Sequence, residues 1–193
     1  MRPEIVVVDD DPVVLKRTRN ILNEAGMKPI ALRSGKALLK YLDEMPAPDL
    51  VLLDILMPEM DGFEALERIR AGEVKHSDVP VIFLTANEDD ETESKGLSLG
   101  AMDFIRKSLA ANIFTLRVTN AVELARLQKD LESEVEEKTR ENRELFLQVV
   151  RSLADAIDAK EDIELLSGTS FVGSGRTGYG LYSRSGGMKL YGD

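Results

Sequence analysis

Residues 50–62 read LVLLDILMPEMDG, in which an uninterrupted apolar run ends at Asp54 and is followed by turn-forming residues. An apolar run without polar alternation is typical of a strand that helices cover on both faces. Similar runs lie on both sides of it, each separated from the next by a segment of helical period. The runs occupy residues 4–8, 28–32, 50–53, 79–84 and 102–105. This alternation predicts a doubly wound α/β fold with a five-stranded parallel sheet.

The helices between these strands have recognisable starts. Asp11 and Ser34 stand where the first and second helices need an N-cap, and Asp61 does so for the third. A fourth helix is predicted to begin within the acidic residues 88–91, since acidic side chains suit the positive end of a helix dipole. A fifth is predicted to begin near residue 110.

The composition excludes several classes of site and partner. The chain has 193 residues, a net charge of -10, no cysteine and a single histidine, His76, so thiolate and polyhistidine metal centres are excluded. The negative charge and the lack of a basic stripe argue against nucleic acid as a partner. No apolar run approaches the roughly 20 residues that span a bilayer, and the N-terminus lacks a secretory signal. We therefore expect no membrane segment and a cytoplasmic protein.

Polar side chains follow four of the five predicted strands. Asp9 and Asp10 come after the first strand, Asp54 after the third, Thr85 after the fourth and Lys107 after the fifth. The carboxyl ends of parallel strands meet at one edge of the sheet, where ligands bind. Clustered carboxylates repel unless a cation joins them, and an all-oxygen site with few protein ligands suits Mg²⁺. With Asp54 as nucleophile, Lys107 and the metal would neutralise an incoming phosphoryl group, and the Thr85 hydroxyl would bond one of its oxygens.

Each of these residues also has an ordinary interpretation. Aspartates after strands form turns, Thr85 is a candidate helix cap, and Lys107 is a candidate surface charge. Their convergence on one edge favours a functional site, because catalytic groups gather on the loops of that edge. Asp11 is the exception and is best explained as a cap.

The segments VVVDDDP, LVLLDILMPEMDG, VIFLTA and DFIRK resemble the signature segments of response-regulator receiver domains in order and spacing. The resemblance covers residues 1–122 and implies a flavodoxin-like sheet with strand order 2-1-3-4-5. It implies Mg²⁺ held by Asp10, Asp54 and the backbone carbonyl of Leu56, with Asp9 helping through water. It further implies that Asp54 accepts phosphate from a sensor histidine kinase or a phosphotransfer protein. Such a receiver promotes its own phosphorylation and dephosphorylation and is not otherwise an enzyme.

The resemblance also implies a switch. Thr85 and Phe104 match a pair in which the hydroxyl moves toward the phosphoryl group and the ring turns inward. This movement changes the face formed by the fourth helix, fifth strand and fifth helix. Leu56 and Asn87 flank the approach of hydrolytic water and are predicted to tune phosphoryl lifetime.

One position departs from the family pattern, because Ser108 follows Lys107 where a proline is usual, often with a cis peptide bond. A non-proline cis peptide costs about 2.5–4 kcal/mol, so we expect a trans peptide here and a Lys107 that is held less rigidly.

Beyond residue 122 no helix breaker occurs before Gly168, which predicts a long helix. Apolar and polar residues then alternate in the steps of four and three that form a coiled-coil seam: Leu131, Val135, Lys138, Asn142, Leu145 and Val149. This predicts a parallel homodimer through residues 124–153, against the alternative of a solvated charged helix. The predicted organisation is a receiver domain at 1–122, an extended helix at 123–160 and a flexible tail, rich in glycine, serine and tyrosine, at 161–193.

Residues 145–161, LFLQVVRSLADAIDAKE, resemble the helix that leads into HD-GYP phosphodiesterase domains, which degrade cyclic di-GMP. No histidine follows Glu161, so this chain lacks the metal ligands of an HD-GYP domain. It also lacks a GGDEF-like run, which a diguanylate cyclase would need. The sequence thus predicts a phosphorylation-controlled regulator that signals through its C-terminal helix to a dimer partner or an output domain. The alternatives are a constitutive interaction adaptor, using the coiled coil and tail, or a regulatory fragment of a cyclic di-GMP phosphodiesterase.

Overall fold

A computed structural model of the chain describes residues 2–86 and 90–168, with side chains given for these residues except at 90 and 157–168. The predictions made for Asn87 and for the part of the tail after Gly168 lie outside the described residues. The chain divides into two compact units, residues 1–136 and 137–193.

Within the described residues, five strands alternate with five helices, and the strands form one parallel sheet in the order β2-β1-β3-β4-β5. The elements are β1 (Glu4–Val8), α1 (Pro12–Glu24), β2 (Lys28–Leu32), α2 (Gly35–Glu44), β3 (Leu50–Asp54), α3 (Gly62–Arg70), β4 (Val81–Thr85), α4 (Asp90–Ser98), β5 (Asp103–Arg106) and α5 (Ala111–Gly168). This confirms the predicted doubly wound fold, its strand order and the long C-terminal helix.

The strand boundaries differ slightly from those predicted. β4 begins at Val81 rather than at residue 79, because Pro80 has no amide hydrogen and takes part only through its carbonyl, which accepts from the Val51 amide at 2.9 Å. β3 and β4 each extend one residue further than predicted. Asp54 and Thr85 are therefore the last residues of their strands, held by the sheet ladder itself.

The predicted N-caps are confirmed. The Asp11 side chain accepts from the Val13 amide at 2.7 Å, ahead of Pro12 at the first helical position. Ser34 accepts from the Ala37 amide at 3.2 Å, and the Asp61 side chain caps α3 in the same way. Each cap satisfies an amide that has no partner within its helix, which stabilises the helix by about 1 kcal/mol.

Two apolar layers enclose the sheet. Strand side chains such as Val6 and Leu53 join α2 and α3 in one cluster, whereas Ile5 and Leu52 join α1 and the start of α5 in the other. All four of these side chains are completely buried. Full burial of one such side chain is worth about 1.5–3 kcal/mol, so the two layers fix the strand ends from which the loops emerge.

The sheet has open edges at β2 and β5. On β2 the Lys28 amide donates to the carbonyl of Pro3 at 2.8 Å, so residue 28 faces β1. The backbone N–H and C=O groups of successive strand residues point alternately to the two sides of the strand. The nitrogen of the next residue, Pro29, therefore points away from β1, to the open side of the sheet. Its missing amide hydrogen therefore costs the sheet no hydrogen bond.

Within the first unit, the beginning of α5 packs on the sheet through Phe114, Val118, Ala121 and Val122. From residue 123 to residue 156, where side chains are described, the helix buries none of them. Leu127 and Leu131 are both more than 60% exposed. The core of the first unit thus uses α5 only as far as Val122.

Within the second unit, every helical side chain described, from residue 137 to residue 156, is exposed. Large apolar side chains gather on one broad face, since residues four apart lie on the same side of a helix and five positions here span roughly 140°. The residues on this face are Leu145, Phe146, Val149, Val150 and Leu153, whereas Leu147, also exposed, lies outside it. No helix in the described part of the chain is long and apolar enough to cross a membrane.

Candidate functional site

The carboxyl edge of the sheet brings together the residues predicted from the sequence. Asp54 and Thr85 end β3 and β4, and Asp9 directly follows β1. All three are buried, with at most 6% of each residue exposed. The parallel register holds these strands side by side, so their end residues share one rim.

Lys107 completes the cluster from the loop after β5. Its Nζ lies 2.8 Å from Oδ2 of Asp9 and 2.8 Å from Oδ2 of Asp54, and only 22% of the side chain is exposed. The interpretation of Lys107 as an ordinary surface charge is therefore wrong. Oδ2 of Asp9 has this lysine as its ionic partner but lacks a hydrogen bond of good geometry among the described residues. One ammonium thus serves two buried carboxylates.

Burial and the neighbouring charges act in opposite directions on the pKa values of Asp54 and Lys107. Burial raises the pKa of Asp54 above its ordinary value, and the charge of Asp9 adds to this, whereas Lys107 and the Leu56 amide act in the opposite direction. For Lys107, burial alone would lower the pKa, but the bonds and charges of Asp54 and Asp9 outweigh it and raise the pKa. The lysine stays charged, and Asp54 carries its negative charge at a free-energy cost.

This donor set fits a hard divalent cation. Asp9, Asp10 and Asp54 each offer a carboxylate oxygen, and these oxygens lie within 4.8 Å of one another. Asp10 is partly exposed, so the cluster opens to solvent on that side. An all-oxygen set with a solvent-facing side suits Mg²⁺, which retains several waters. The poorly bonded Oδ2 of Asp9 is a further group that a bound cation, directly or through water, would satisfy.

Gly62 is a residue whose role the sequence analysis missed. A β-carbon at this position would overlap the backbone carbonyl oxygen of Asp54 and press on the backbone of Ile55. The Gly62 amide also donates to the Ile55 carbonyl at 2.8 Å, which closes the loop between β3 and α3. The glycine at the end of the segment 50–62 was the available signal, since glycine permits close backbone approach.

Thr85 and Phe104 lie behind the cluster. Thr85 ends β4 five residues before α4 begins, so it is not the N-cap of that helix. Phe104 is buried with its ring centroid 5.3 Å from that of Phe83, which in turn lies 5.0 Å from Phe63. The Phe104 ring packs so closely on Gly96 of α4 that a β-carbon there would overlap it. The three rings connect α3, β4 and β5 beneath the site.

Leu56 and Ser108 occupy the rim. The Leu56 side chain is 72% exposed, and its amide approaches Oδ1 of Asp54 at 3.4 Å. No cis peptide bond occurs in the described ranges 2–86 and 90–168, which confirms the trans peptide expected between Lys107 and Ser108.

Residues 5–119 match the family model described as the response regulator receiver domain. The chain is 39% identical over 116 residues to the probable cyclic di-GMP phosphodiesterase of Vibrio cholerae, covering 59% of this chain and 25% of that protein. It is 30% identical over 132 residues to the transcriptional regulatory protein BaeR of Escherichia coli, covering 68% and 53%. The crystal structure of NtrX from Brucella abortus is 27% identical with a TM-score of 0.63, covering 69% and 29%. The chain thus spans about half or less of the length of these relatives.

Proposed function

The chain belongs to the response regulator receiver domain family, and from this membership we propose that Asp54 is its phosphoacceptor. One observation carries the proposal: Asp54 ends β3 beside Asp9 and Asp10, with Lys107 at 2.8 Å from its Oδ2. A carboxylate held at this position, among groups that can neutralise a phosphoryl oxygen, is suited to act as a nucleophile.

The phosphoryl donor in this proposal is a phosphohistidine of a sensor histidine kinase or a phosphotransfer protein. The P–N bond of the donor breaks as a carboxylate oxygen of Asp54 bonds to phosphorus, and the leaving imidazole keeps its electron pair and takes a proton. Lys107 moves from its contact with Asp54 to an oxygen of the transferred group, and so exchanges one anionic partner for another. Such transfer depends mainly on positioning and charge stabilisation. We further propose that the protein is cytoplasmic, like the donor partner, and that it engages neither nucleic acid nor a membrane, since its net charge of -10 repels phosphate groups.

Asp10, Asp54 and the Leu56 carbonyl are the residues that would hold Mg²⁺, with Asp9 helping through water. When bound, this ion supplies positive charge to the oxygens of the phosphoryl group. The chain's own contribution is to hold three carboxylates within 4.8 Å of one another. The glycine at position 62 allows the loop after β3 to close against the backbone of Asp54. The exposed Leu56 side chain stands where it would meet hydrolytic water, which supports a role in phosphoryl lifetime.

The response to phosphorylation involves Thr85 and Phe104. The Thr85 hydroxyl turns toward the phosphoryl group, and the change reaches Phe104, which packs on α4 through Gly96. The surface formed by α4, β5 and α5 then changes. Because α5 begins on that face, the same helix that buries Phe114 against the sheet continues into the exposed apolar segment.

The output in this proposal is a parallel homodimer through residues 124–153, which relays the switch to a partner copy or an output domain. Two pairs of seam residues support it, since Leu131 with Val135 and Leu145 with Val149 are spaced by four and each residue is at least half exposed. Apolar side chains at this spacing lose their exposure when two helices pair. Lys138, one of the two polar seam residues, pairs with Glu141 at 2.9 Å.

The central test treats wild type and Asp54→Asn with Mg²⁺ and acetyl phosphate and measures intact mass. Wild type should gain one phosphoryl group and Asp54→Asn none. Asp43→Asn is the matched control, because the Asp43 side chain is exposed on α2 and makes no hydrogen bond or ion pair with the described residues. Phosphate incorporation that survives in Asp54→Asn would overturn the proposal.

A second candidate output is a constitutive adaptor, or a regulatory fragment of a cyclic di-GMP phosphodiesterase. The observation that favours the latter is the similarity to the probable cyclic di-GMP phosphodiesterase of Vibrio cholerae. Light scattering before and after phosphorylation discriminates between the dimer relay and the constitutive adaptor. A dimer fraction that rises with phosphate on Asp54 supports the relay, and one that is the same in Asp54→Asn supports the adaptor.

A further inference from the structure

Arg17 lies on the exposed side of α1 and bridges the loop that carries Lys107. Its Nη1 donates to the carbonyl oxygen of Lys107 at 3.2 Å, and its Nη2 donates to the carbonyl oxygen of Leu109 at 3.2 Å. A planar guanidinium can hold two acceptors in a fixed relation, which the single ammonium of a lysine cannot do. Arg17 therefore fixes the carbonyls on both sides of Ser108.

Few other bonds restrain the backbone of the loop at this point, although the Lys107 side chain is also held by its ion pairs with Asp9 and Asp54. Its backbone bonds run from the Lys107 amide to Thr85 at 2.8 Å and from the Leu109 amide to Arg106 at 3.1 Å. Beneath it lies a cavity of about 70 Å³, bounded by Arg17, Lys107 and Leu109 together with core side chains of α1, β4 and α5. Packing does not fill this space, so the support of the loop from below is incomplete, although Leu109 packs against the core.

We propose that Arg17 is a positioning residue that holds the 107–109 loop, and through it the Lys107 ammonium, in place for phosphoryl transfer to Asp54. This inference rests on the proposed function of Asp54. A proline ring at position 108 would restrain the backbone after Lys107. Ser108 has no such ring, and Arg17 supplies a restraint in its place. Both Arg17 bonds are solvent-exposed, and exposed bonds stabilise a fold only weakly. Displacements of about 1 Å can nevertheless cost a large factor in rate, so the effect of Arg17 falls on rate more than on stability.

The test compares Arg17→Met with wild type. Methionine keeps an unbranched apolar stem over the cavity and removes every donor. The maximal rate of phosphate incorporation from acetyl phosphate with Mg²⁺ should fall about three- to tenfold, while the half-saturating donor concentration changes less than twofold. Arg17→Lys, which retains the charge but not the fork, should recover only part of the rate. The matched control is Arg19→Met on the same helix, since Arg19 is exposed and makes no bond or ion pair within the described part of the chain.

Repeating Arg17→Met in a Lys107→Ala background separates positioning from a general structural effect. If Arg17 acts through Lys107, the second substitution should add no further loss. An equal loss in both backgrounds, or an unchanged rate in Arg17→Met alone, would overturn the inference while leaving Asp54 as acceptor. Failure of wild type to take phosphate on Asp54 would instead overturn both proposals. If Lys107→Ala takes up phosphate too slowly to measure, the kinetics of Arg17→Met alone decide. A lower maximal rate with a nearly unchanged half-saturating donor concentration supports positioning, and an unchanged maximal rate contradicts it.

Discussion

The carboxyl edge of the sheet, where the strands end, and the amino edge, where they begin, use the same kinds of charged group to opposite effect. At the carboxyl edge, Asp9 and Asp54 share Lys107. At the amino edge, Glu4 contacts Lys28 at 2.5 Å and accepts from the Tyr41 hydroxyl at 2.7 Å. Carboxylates outnumber their cations at the first edge, whereas Glu4 has a separate donor for each of its oxygens.

Asp49 extends the contrast. One of its oxygens accepts from the Glu4 amide at 2.8 Å, and the other accepts from Nε and Nη2 of Arg126 at 3.1 and 2.8 Å. The hydrogen bond from Lys28, followed by that from Tyr41, lowers the pKa of Glu4, whereas burial raises that of Asp54. A carboxylate with enough hydrogen-bond donors stabilises the fold. A carboxylate with too few donors remains available to bind a cation or to react with a phosphoryl group.

The largest expected effect is at the loop that shapes the carboxyl edge. Gly62→Ala should lower the free energy of unfolding by about 2–3 kcal/mol and slow phosphorylation, because the new methyl group meets the backbone at Asp54 and Ile55. Denaturant unfolding and phosphate incorporation measure the two effects. Gly72→Ala is the control, since Gly72 has a positive φ of 80° but no atom within 4 Å of an added β-carbon. It should cost only backbone strain, and equal losses in the two variants would contradict the close approach to Asp54.

Asp10→Asn should weaken Mg²⁺ binding about 10- to 100-fold, because it removes one anionic oxygen from the cluster. The metal-free protein should become more stable, since one of three repelling charges is gone. Calorimetric titration and denaturant unfolding test the two signs. Asp11→Asn should change neither, because asparagine also caps α1. Unchanged Mg²⁺ affinity in Asp10→Asn would remove Asp10 from the metal site.

Asp49→Ala tests the amino edge. It should lower the free energy of unfolding by about 1–2 kcal/mol, because the Glu4 amide and the partly exposed Arg126 lose their acceptor. The phosphorylation rate should stay within twofold of wild type. A large fall in that rate would show that the two edges are coupled, and the contrast between them would fail.

The smallest effect is a pH-dependent one at Glu4. Its pKa in the folded protein is below the ordinary value of 4.5, so its ion pair stabilises the fold above that pH and loses this effect as the pH falls through the folded pKa. Glu4→Gln should therefore cost about 0.5 kcal/mol at pH 7, and the difference should disappear in acid. Denaturant unfolding of both proteins from pH 3 to pH 7 checks the trend. A difference that grows toward low pH would contradict the lowered pKa.

Local patterns in the sequence predicted much of the fold and the site. Apolar runs predicted five strands, Asp11, Ser34 and Asp61 predicted three helix starts, and parallel topology placed Asp54 and Lys107 at one edge. These inferences succeed because each depends on neighbouring residues or on a general rule of sheet geometry.

Contacts between distant residues were not predictable in the same way. Arg126 pairs with Asp49 across 77 residues and Arg17 reaches Leu109 across 92, and neither arginine differs in its local pattern from other surface arginines. Lys95 lies 4.5 Å from the centroid of the Phe63 ring, in a contact that depends on how α4 packs beside α3. Such pairs are set by the packing of whole elements.

Pro29 has a consequence for aggregation. Its nitrogen lies on the open side of β2, where it offers no hydrogen to the strand of another molecule. The opposite edge is a strand of only four residues that begins and ends with charged side chains, Asp103 and Arg106. Both margins of the sheet are thus poor templates for edge-to-edge growth into fibrils. In the proposed homodimer, self-association uses the exposed apolar side chains of α5 instead, and pairing of two helices ends at a closed, finite assembly.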